Sequence, residues 1–385
     1  MYNSREFTVR KNKALNFVKK AGRFAKHHVV LCVAFLAAAV TCFLVPPNGE
    51  YLGYFDYKTL SCLFLTLAVV CALRNIKFFT ILARRLVKLA GNLRLLAVTL
   101  VIITFIGSML IANDMALITF LPIGYFALSV TGEEKHSAYI FILQNISANL
   151  GGMLTPFGNP QNLYLYSFFN IPTGEFTLIM LPPFLLAIAL LLCCCLLLKP
   201  TPLLIKEEMQ DTLPKKKTAL YLVLFAISIL IVFRVIPYWI GLIGITAVLL
   251  FVDRAALRAV DYPLLCTFVL FFIFAGNLSR VEAVQQFFAS LLSKNTLLFS
   301  ILSCQCISNV PSAILLSRFT TDYRSLLLGV NIGGTGTLIS SLASLITFSE
   351  YKLLYPDKGG KYFALFTLMN LFFLTVMTLA ALFVF

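Results

Sequence analysis

Charge is what this sequence has least of. Only 12% of its 385 residues are charged, and it holds 16 acids, three histidines and one tryptophan. Soluble domains carry about 25% charged and roughly 45–50% apolar residues. Here the apolar share is 60% and the mean hydropathy +0.91. A chain this length would ordinarily be divided into two or three soluble domains, but so little charge cannot cover a core in water. The composition is that of an integral membrane protein, and it excludes a secreted, nucleic-acid-binding or cytosolic-enzyme reading.

Other absences narrow the function. There is no Gly-x-x-x-x-Gly-Lys-Ser/Thr loop, so the chain does not hydrolyse ATP by that route. No metal-ligand cluster, midplane acidic pair or nucleophile–base–orienter set is visible, so an enzyme and any bound cofactor are not expected. His27, His28 and His136 lie in predicted cytoplasmic loops and read as solvated. All ten cysteines fall in apolar runs, where disulfides are not expected. Cys304 and Cys306 are too close for a redox pair, and the set reads as small packing residues.

What charge there is has a pattern. The net charge is +15, and the basic residues gather in alternate loops. With the N-terminus in the cytoplasm, 25 Lys and Arg fall on that side and six on the other: Lys58, Arg234, Arg280, Lys294, Arg318 and Arg324. This is the positive-inside bias, not a nucleic-acid patch. It predicts a multi-pass protein of the inner or plasma membrane with a cytoplasmic N-terminus and an outside C-terminus. The segment 1–27 is read as a basic cytoplasmic arm that also suits anionic lipid, and not as a cleaved leader.

A hydrocarbon layer about 30 Å thick takes roughly 20 helical residues. Simple spans are predicted at 28–46, 58–73, 175–198, 218–237, 238–252, 262–278 and 362–385. Residues 74–94 read as an interfacial amphipathic helix, with 280–293 as its counterpart. Trp239 is read as an aromatic-belt residue, and Tyr164 and Tyr166 as belt or cavity-wall residues.

Four stretches are apolar at the ends and polar in the middle. Two are predicted hairpins, about 95–132 around Ala112-Asn113-Asp114 and about 295–317 around Ser308-Asn309-Val310-Pro311, with Asn113, Asp114, Ser308 and Asn309 expected to cap the helix after each tip. The first is also long enough for two short full spans. The other two, about 137–170 and 325–349, are predicted broken helices. Shifted by 182 residues they superpose: Asn149 on Asn331, Gly151-Gly152 on Gly333-Gly334, Thr155 on Thr337, Asn159 on Ser341 and Asn162 on Ser344. The order of parts repeats as well, over 28–198 and again over 238–385. The linker and connecting span, 199–237, start the second half on the opposite face. The expectation is therefore an all-α polytopic protein of two inverted-topology repeats, with about nine spans and two hairpins.

Irregular backbone at membrane depth has to be buried in protein or face a watery cavity. Helix starts there attract anions, and exposed carbonyls coordinate cations. Glycines packing helix against helix would explain each motif singly, but not Asn159-Pro160-Gln161-Asn162 beside a glycine pair. Asn113, Thr155, Asn159, Asn162, Ser308 and Asn309 are accordingly candidates for substrate binding, with Thr335, Thr337, Ser340 and Ser341. No Lys or Arg is expected at that depth. Candidates for the coupling ion, Na⁺ or H⁺, are Asp114, Asn113, Asn149, Gly151, Gly152 and Gly158, with Asn309, Asn331, Gly333 and Gly334. Asp114 is the one acid far from a predicted interface, so it is read as an ion ligand or proton carrier.

At these motifs the chain resembles the ion transporter superfamily. Within it, the likeness is to the citrate-transporter-like group that includes divalent-anion:sodium symporters and arsenite-efflux permeases. The resemblance runs over about 28–385. It implies a scaffold that pairs into a homodimer and a mobile transport domain moving elevator-fashion, with substrate and Na⁺ at hairpin tips and helix breaks. Dicarboxylate symporters of the group carry Ser-Asn-Thr at each tip; here the tips read Ala112-Asn113-Asp114 and Ser308-Asn309-Val310. The expected function is secondary transport of a small organic anion, a di- or tricarboxylate, across the lipid bilayer. An arsenite-type efflux permease or Na⁺/H⁺ antiporter is the alternative, and a membrane enzyme a remote one.

Overall fold

The computed structural model describes residues 28–203 and 212–384; segment 1–27, with His27, and part of the linker lie outside the described residues. Among those described there is no strand, only one isolated bridge between Asn92 and Pro202. The protein is an all-α polytopic membrane protein. The first stretch holds α1 (Val29–Leu44), α2 (Tyr57–Asn75), α3 (Phe78–Val87), α4 (Leu93–Ile111) and α5 (Asn113–Val130). There follow α6 (Ser137–Gly151), α7 (Pro160–Phe168), α8 (Thr173–Leu196), α9 (Lys215–Val232), α10 (Tyr238–Val252) and α11 (Arg254–Arg258). The chain closes with α12 (Tyr262–Leu278), α13 (Glu282–Ile307), α14 (Asn309–Leu316), α15 (Tyr323–Ile332), α16 (Leu342–Leu354) and α17 (Gly359–Phe383).

Among the described residues, six helical segments are long and apolar enough to cross a bilayer: α2, α4, α5, α8, α13 and 356–383, which contains α17. The apolar helices α1, α10 and α12 are shorter, at 15–17 residues. Both arms of the first hairpin reach span length, 19 and 18 residues. The predicted interfacial segment 280–293 and the arm after it form one element, α13, which leaves helical geometry at Asn295 (φ −166°, ψ 93°). The Asn295 side chain accepts the Leu298 N–H at 2.9 Å, so a new helix start is capped at the kink. Asp56, Asn92, Asp261 and Asp322 cap α2, α4, α12 and α15 in the same way.

Two compact units form, each drawing on sequence from both sides of the linker. The smaller holds α1, the turn 49–54 and α12. Its buried Asn277 donates to Thr41 Oγ1 at 3.3 Å, and Arg280 pairs with Glu50 at 2.9 Å. The larger unit holds everything that positions the candidate site. At its centre is α6, buried at every residue from Ile140 to Gly151 although it carries Gln144, Asn145, Ser147 and Asn149. By contrast α8 and α17 expose large apolar side chains such as Leu178, Leu185, Leu368 and Phe372. Apolar side chains outside and amides inside invert the soluble pattern, as hydrocarbon surroundings require.

Candidate functional site

The first break begins where α6 runs into its glycine pair. Gly151 packs so closely on α4 that a Cβ there would lie 2.3 Å from the Phe105 carbonyl oxygen. After the turn Gly152–Leu154 the chain goes extended at Thr155 (φ −114°, ψ 143°). It re-enters a helix at Pro160, from Asn159 in extended geometry (φ −136°, ψ 141°). Proline suits that first position, where its missing N–H costs no ladder bond. The second break runs alike. α15 ends at Gly333, and α16 starts from Ser341 (φ −150°, ψ 141°), whose hydroxyl accepts the Ala343 N–H at 3.2 Å. Asn159 and Ser341, 182 residues apart, thus share one backbone conformation at a helix start, although only Ser341 caps its helix with its side chain.

Both hairpins fold back at a single residue. Ala112 (φ 66°, ψ 152°) and Ser308 (φ 75°, ψ 161°) sit in the left-handed half of conformational space without being glycine. Such positions cost about 1–3 kcal/mol and persist only when their surroundings hold them. The arms lie side by side: Ser303 and Ser312 hydroxyls meet at 2.8 Å, and a Cβ on Gly107 would strike the Phe120 ring. The expectation that Asn113, Asp114, Ser308 and Asn309 cap the second arms is corrected here. Neither Ala112 nor Ser308 makes a side-chain cap bond, and Asn113 and Asn309 are already the first helical residues. A turn of one residue leaves no room for a separate cap.

The tips and breaks come together around three asparagines. Asn149 Oδ1 accepts from Asn113 Nδ2 of the first tip at 3.2 Å and from Ser341 Oγ of the second break at 2.7 Å. Asn159 Nδ2 donates to the Asn149 carbonyl at 3.3 Å and to Asn331 Oδ1 at 3.4 Å. Asn331 Nδ2 donates to Asn162 Oδ1 at 2.6 Å, while Asn162 Nδ2 reaches the carbonyls of Gly152 and Met153. At the second tip the Asn309 N–H and Ser308 hydroxyl both donate to the Ser340 carbonyl, at 3.0 and 3.3 Å. Two atoms in this cluster are buried and unpaired, the donor Asn149 Nδ2 and the acceptor Asn159 Oδ1. Buried polar atoms normally find partners, so a vacant donor and a vacant oxygen in one cluster stand out.

Other candidates hold the breaks and tips in shape around those asparagines. Thr155 donates to the Met109 carbonyl (2.9 Å) and Thr335 to Ile332 (2.7 Å), each tying down its own break. Ser340 donates to the carbonyls of Gly334 and Thr337, and Thr337 is exposed. Gly152 and Gly158 face one another, a Cβ on Gly158 falling 2.4 Å from the Gly152 oxygen. Gly334 lies against Asn309 Nδ2. Asp114 is half-buried in the first turn of α5, one residue beyond Asn113.

Three features escaped the sequence reading. Arg74, assigned to a cytoplasmic loop, occupies the last turn of α2, and its Nη1 donates to Met115 Sδ at 3.3 Å. A cation therefore reaches the first tip, against the expectation of none. Gln305 Nε2 donates to the carbonyls of Gly333 and Thr335 at 2.8 and 3.1 Å, while its Oε1 accepts the Thr337 N–H at 2.9 Å. Gly336 (φ 123°) brings its backbone against that amide. Gln144 Nε2 donates to Thr104 Oγ1 and to the Phe120 carbonyl, clamping both arms of the first hairpin onto α6. An amide inside an apolar helix was the available signal for both glutamines. Tyr164 and Tyr166 are fully buried; the Tyr164 hydroxyl meets Ser317 Oγ at 2.8 Å. Trp239 is exposed.

This geometry accords with the sequence profile described as Citrate transporter, which matches residues 20–322. The chain belongs to the citrate transporter family. The match takes in both hairpins and the first break and stops just before α15. An uncharacterized transporter of Methanocaldococcus jannaschii is 32% identical over 294 residues, 76% of this chain and 80% of that one. The inner membrane protein YbiR of Escherichia coli is 29% identical over 283 residues, 70% and 73% of the two chains. A silicon efflux transporter of Oryza sativa subsp. japonica is 33% identical over 131 residues, 34% of this chain and 26% of the relative. As a citrate transporter family member the protein is a multi-pass membrane transporter for a small solute, working among lipids.

Proposed function

We propose that the protein is a secondary active transporter of a small organic anion, a di- or tricarboxylate such as citrate or succinate, coupled to Na⁺ or H⁺. The observation that carries this reading is the meeting at Asn149 of one hairpin tip and both helix breaks. Four helix starts, those of α5, α7, α14 and α16, belong to this region, and each presents the positive end of a helix. The Asn149 amide and those starts would hold the carboxylates, with Arg74 supplying a counter-charge at the first tip. A Na⁺ travelling with the anion would take oxygens: Asn159 Oδ1 and carbonyls of the breaks. Asp114 would carry the proton or bind the cation. In this reading, residues 28–198 and 238–385 are oppositely oriented halves. The N-terminus is cytoplasmic, the C-terminus outside, and two copies pair while the tips and breaks move as one body in an elevator cycle.

Efflux is the second reading, favoured by the similarity to a silicon efflux transporter and by the loss of tip hydroxyls at Ala112 and Val310. Liposomes containing the purified protein separate the two. Uptake of labelled citrate or succinate that needs an imposed Na⁺ or H⁺ gradient supports the symporter. Cation–proton exchange, or outward movement of neutral arsenite or silicic acid without carboxylate flux, supports the second reading. No flux under any gradient contradicts both.

A further inference from the structure

A second polar feature lies at the opposite end of the second hairpin. A cleft of about 1160 Å³ opens beside the kink of α13 and the end of α14. Twelve residues of arm separate it from Ser308, roughly 18 Å at helical rise, so it is distinct from the tips. Two cations line it, Lys294 beside the kink and Arg318 just past α14, and hydroxyls of Thr296, Ser317 and Thr320 lie between. Lys294 is exposed and has no ion-pair partner among the described residues. The Arg318 guanidinium lies 5.1 Å from the centre of the Phe168 ring. The one acid on the wall, Asp322, has its carboxylate engaged as the α15 cap, accepting the Ser325 N–H at 3.1 Å.

The rest of the wall mixes amides such as Gln285 and Gln286 with apolar side chains that include Phe319, Ala381 and Leu382. The last two belong to the final turns of α17, a helix of spanning length. The cleft therefore gathers the ends of apolar elements, the level at which spans give way to headgroups. Cations and hydroxyls at one side and an apolar wall at the other match an amphiphile with an anionic head. The volume is also far more than a small carboxylate fills.

We propose that this cleft binds the phosphodiester headgroup of an anionic phospholipid, with Lys294 and Arg318 on the phosphate and the upper acyl chain against Ala381 and Leu382. Basic pockets between spans recognise lipid phosphates by this combination of charge and hydrogen bonding. The inference does not depend on which solute is carried.

Native mass spectrometry of the detergent-solubilised full-length protein, titrated with phosphatidylglycerol or phosphatidylcholine, tests it. Two basic side chains predict a preference of roughly thirtyfold for the tightest phosphatidylglycerol. Lys294→Gln with Arg318→Gln reduces the preference to within about twofold, whereas Lys294→Arg with Arg318→Lys retains it. Arg84→Gln with Arg85→Gln, on the distant α3, leaves it intact. Should the double glutamine variant fold poorly, Lys294→Gln alone, at an exposed position, lowers the preference several-fold. An unchanged preference in the Lys294→Gln variants, single or double, overturns the proposal. So does equal displacement of the lipid by millimolar inorganic phosphate, which would make the ligand a soluble oxyanion.

Discussion

Ser341 Oγ donates to Asn149 Oδ1 over 2.7 Å, joining the start of the helix after the second break to the end of the helix before the first. Its counterpart in the 182-residue register, Asn159 to Asn331, is also made, at 3.4 Å. Two sequence-distant interruptions are thereby held as one polar core. Ser341→Ala should cost about 1 kcal/mol, one buried hydrogen bond. Asn149→Ala should cost more, since it also strands Asn113. Thermal melting of the two single variants and the double variant checks this. The double should cost about 1 kcal/mol less than the sum of the singles, because the pair shares a bond.

Ala112 holds a conformation that glycine adopts freely. Ala112→Gly should raise the melting temperature by an amount worth about 1 kcal/mol, and Ala112→Val should lower it. Ser308→Gly should gain less, because it forfeits the hydroxyl bond to the Ser340 carbonyl. A melting series on the three variants distinguishes backbone strain from side-chain packing at the tips.

Much of this was legible in the sequence. Glycine pairs followed by amides in the first break and by hydroxyl residues in the second mark both, because such residues do not gather in the middle of an apolar helix without a reason. The 182-residue register then pairs Asn159 with Ser341, and the backbone angles agree. The tips were located but their caps misassigned, since a one-residue turn depends on a positive φ that composition does not encode. The reach of Arg74 to Met115 was not legible, because it depends on how a long side chain at a helix end folds back toward the tip. Tyr164 and Tyr166 read in sequence as belt or cavity-wall residues; only packing of α7 shows them buried.

Gln305 ties the second break to its hairpin, so Gln305→Leu frees the carbonyls of Gly333 and Thr335 and the Thr337 N–H. Transport should fall at least about tenfold through a weaker apparent substrate affinity, as expected when a positioning residue lets a site loosen. Initial rates across a substrate series check this. Gln305→Glu, which keeps the acceptor for Thr337, should lose less affinity than Gln305→Leu.

Burial holds the His136 imidazole below its ordinary pKa, against the opposing pull of Glu133, 3.5 Å away. The fold therefore favours neutral His136, and the unfolded chain binds the extra proton. Stability from this group is unaffected above about pH 6.5 and falls as the pH drops through the lowered folded value. Melting curves from pH 8 to pH 5 should show a smaller acid loss in His136→Gln than in the wild type.

The central claim is that tips and breaks enclose one solute site. A cryo-electron microscopy map of the protein in lipid nanodiscs, with the transported anion and Na⁺ added, tests it most directly. The account expects solute density bounded by Asn113, Asn149, Asn159, Asn309 and Ser341, lost in Asn149→Ala. Density elsewhere, or continuous helix through Gly151–Asn162 and Gly333–Ser344, would contradict it.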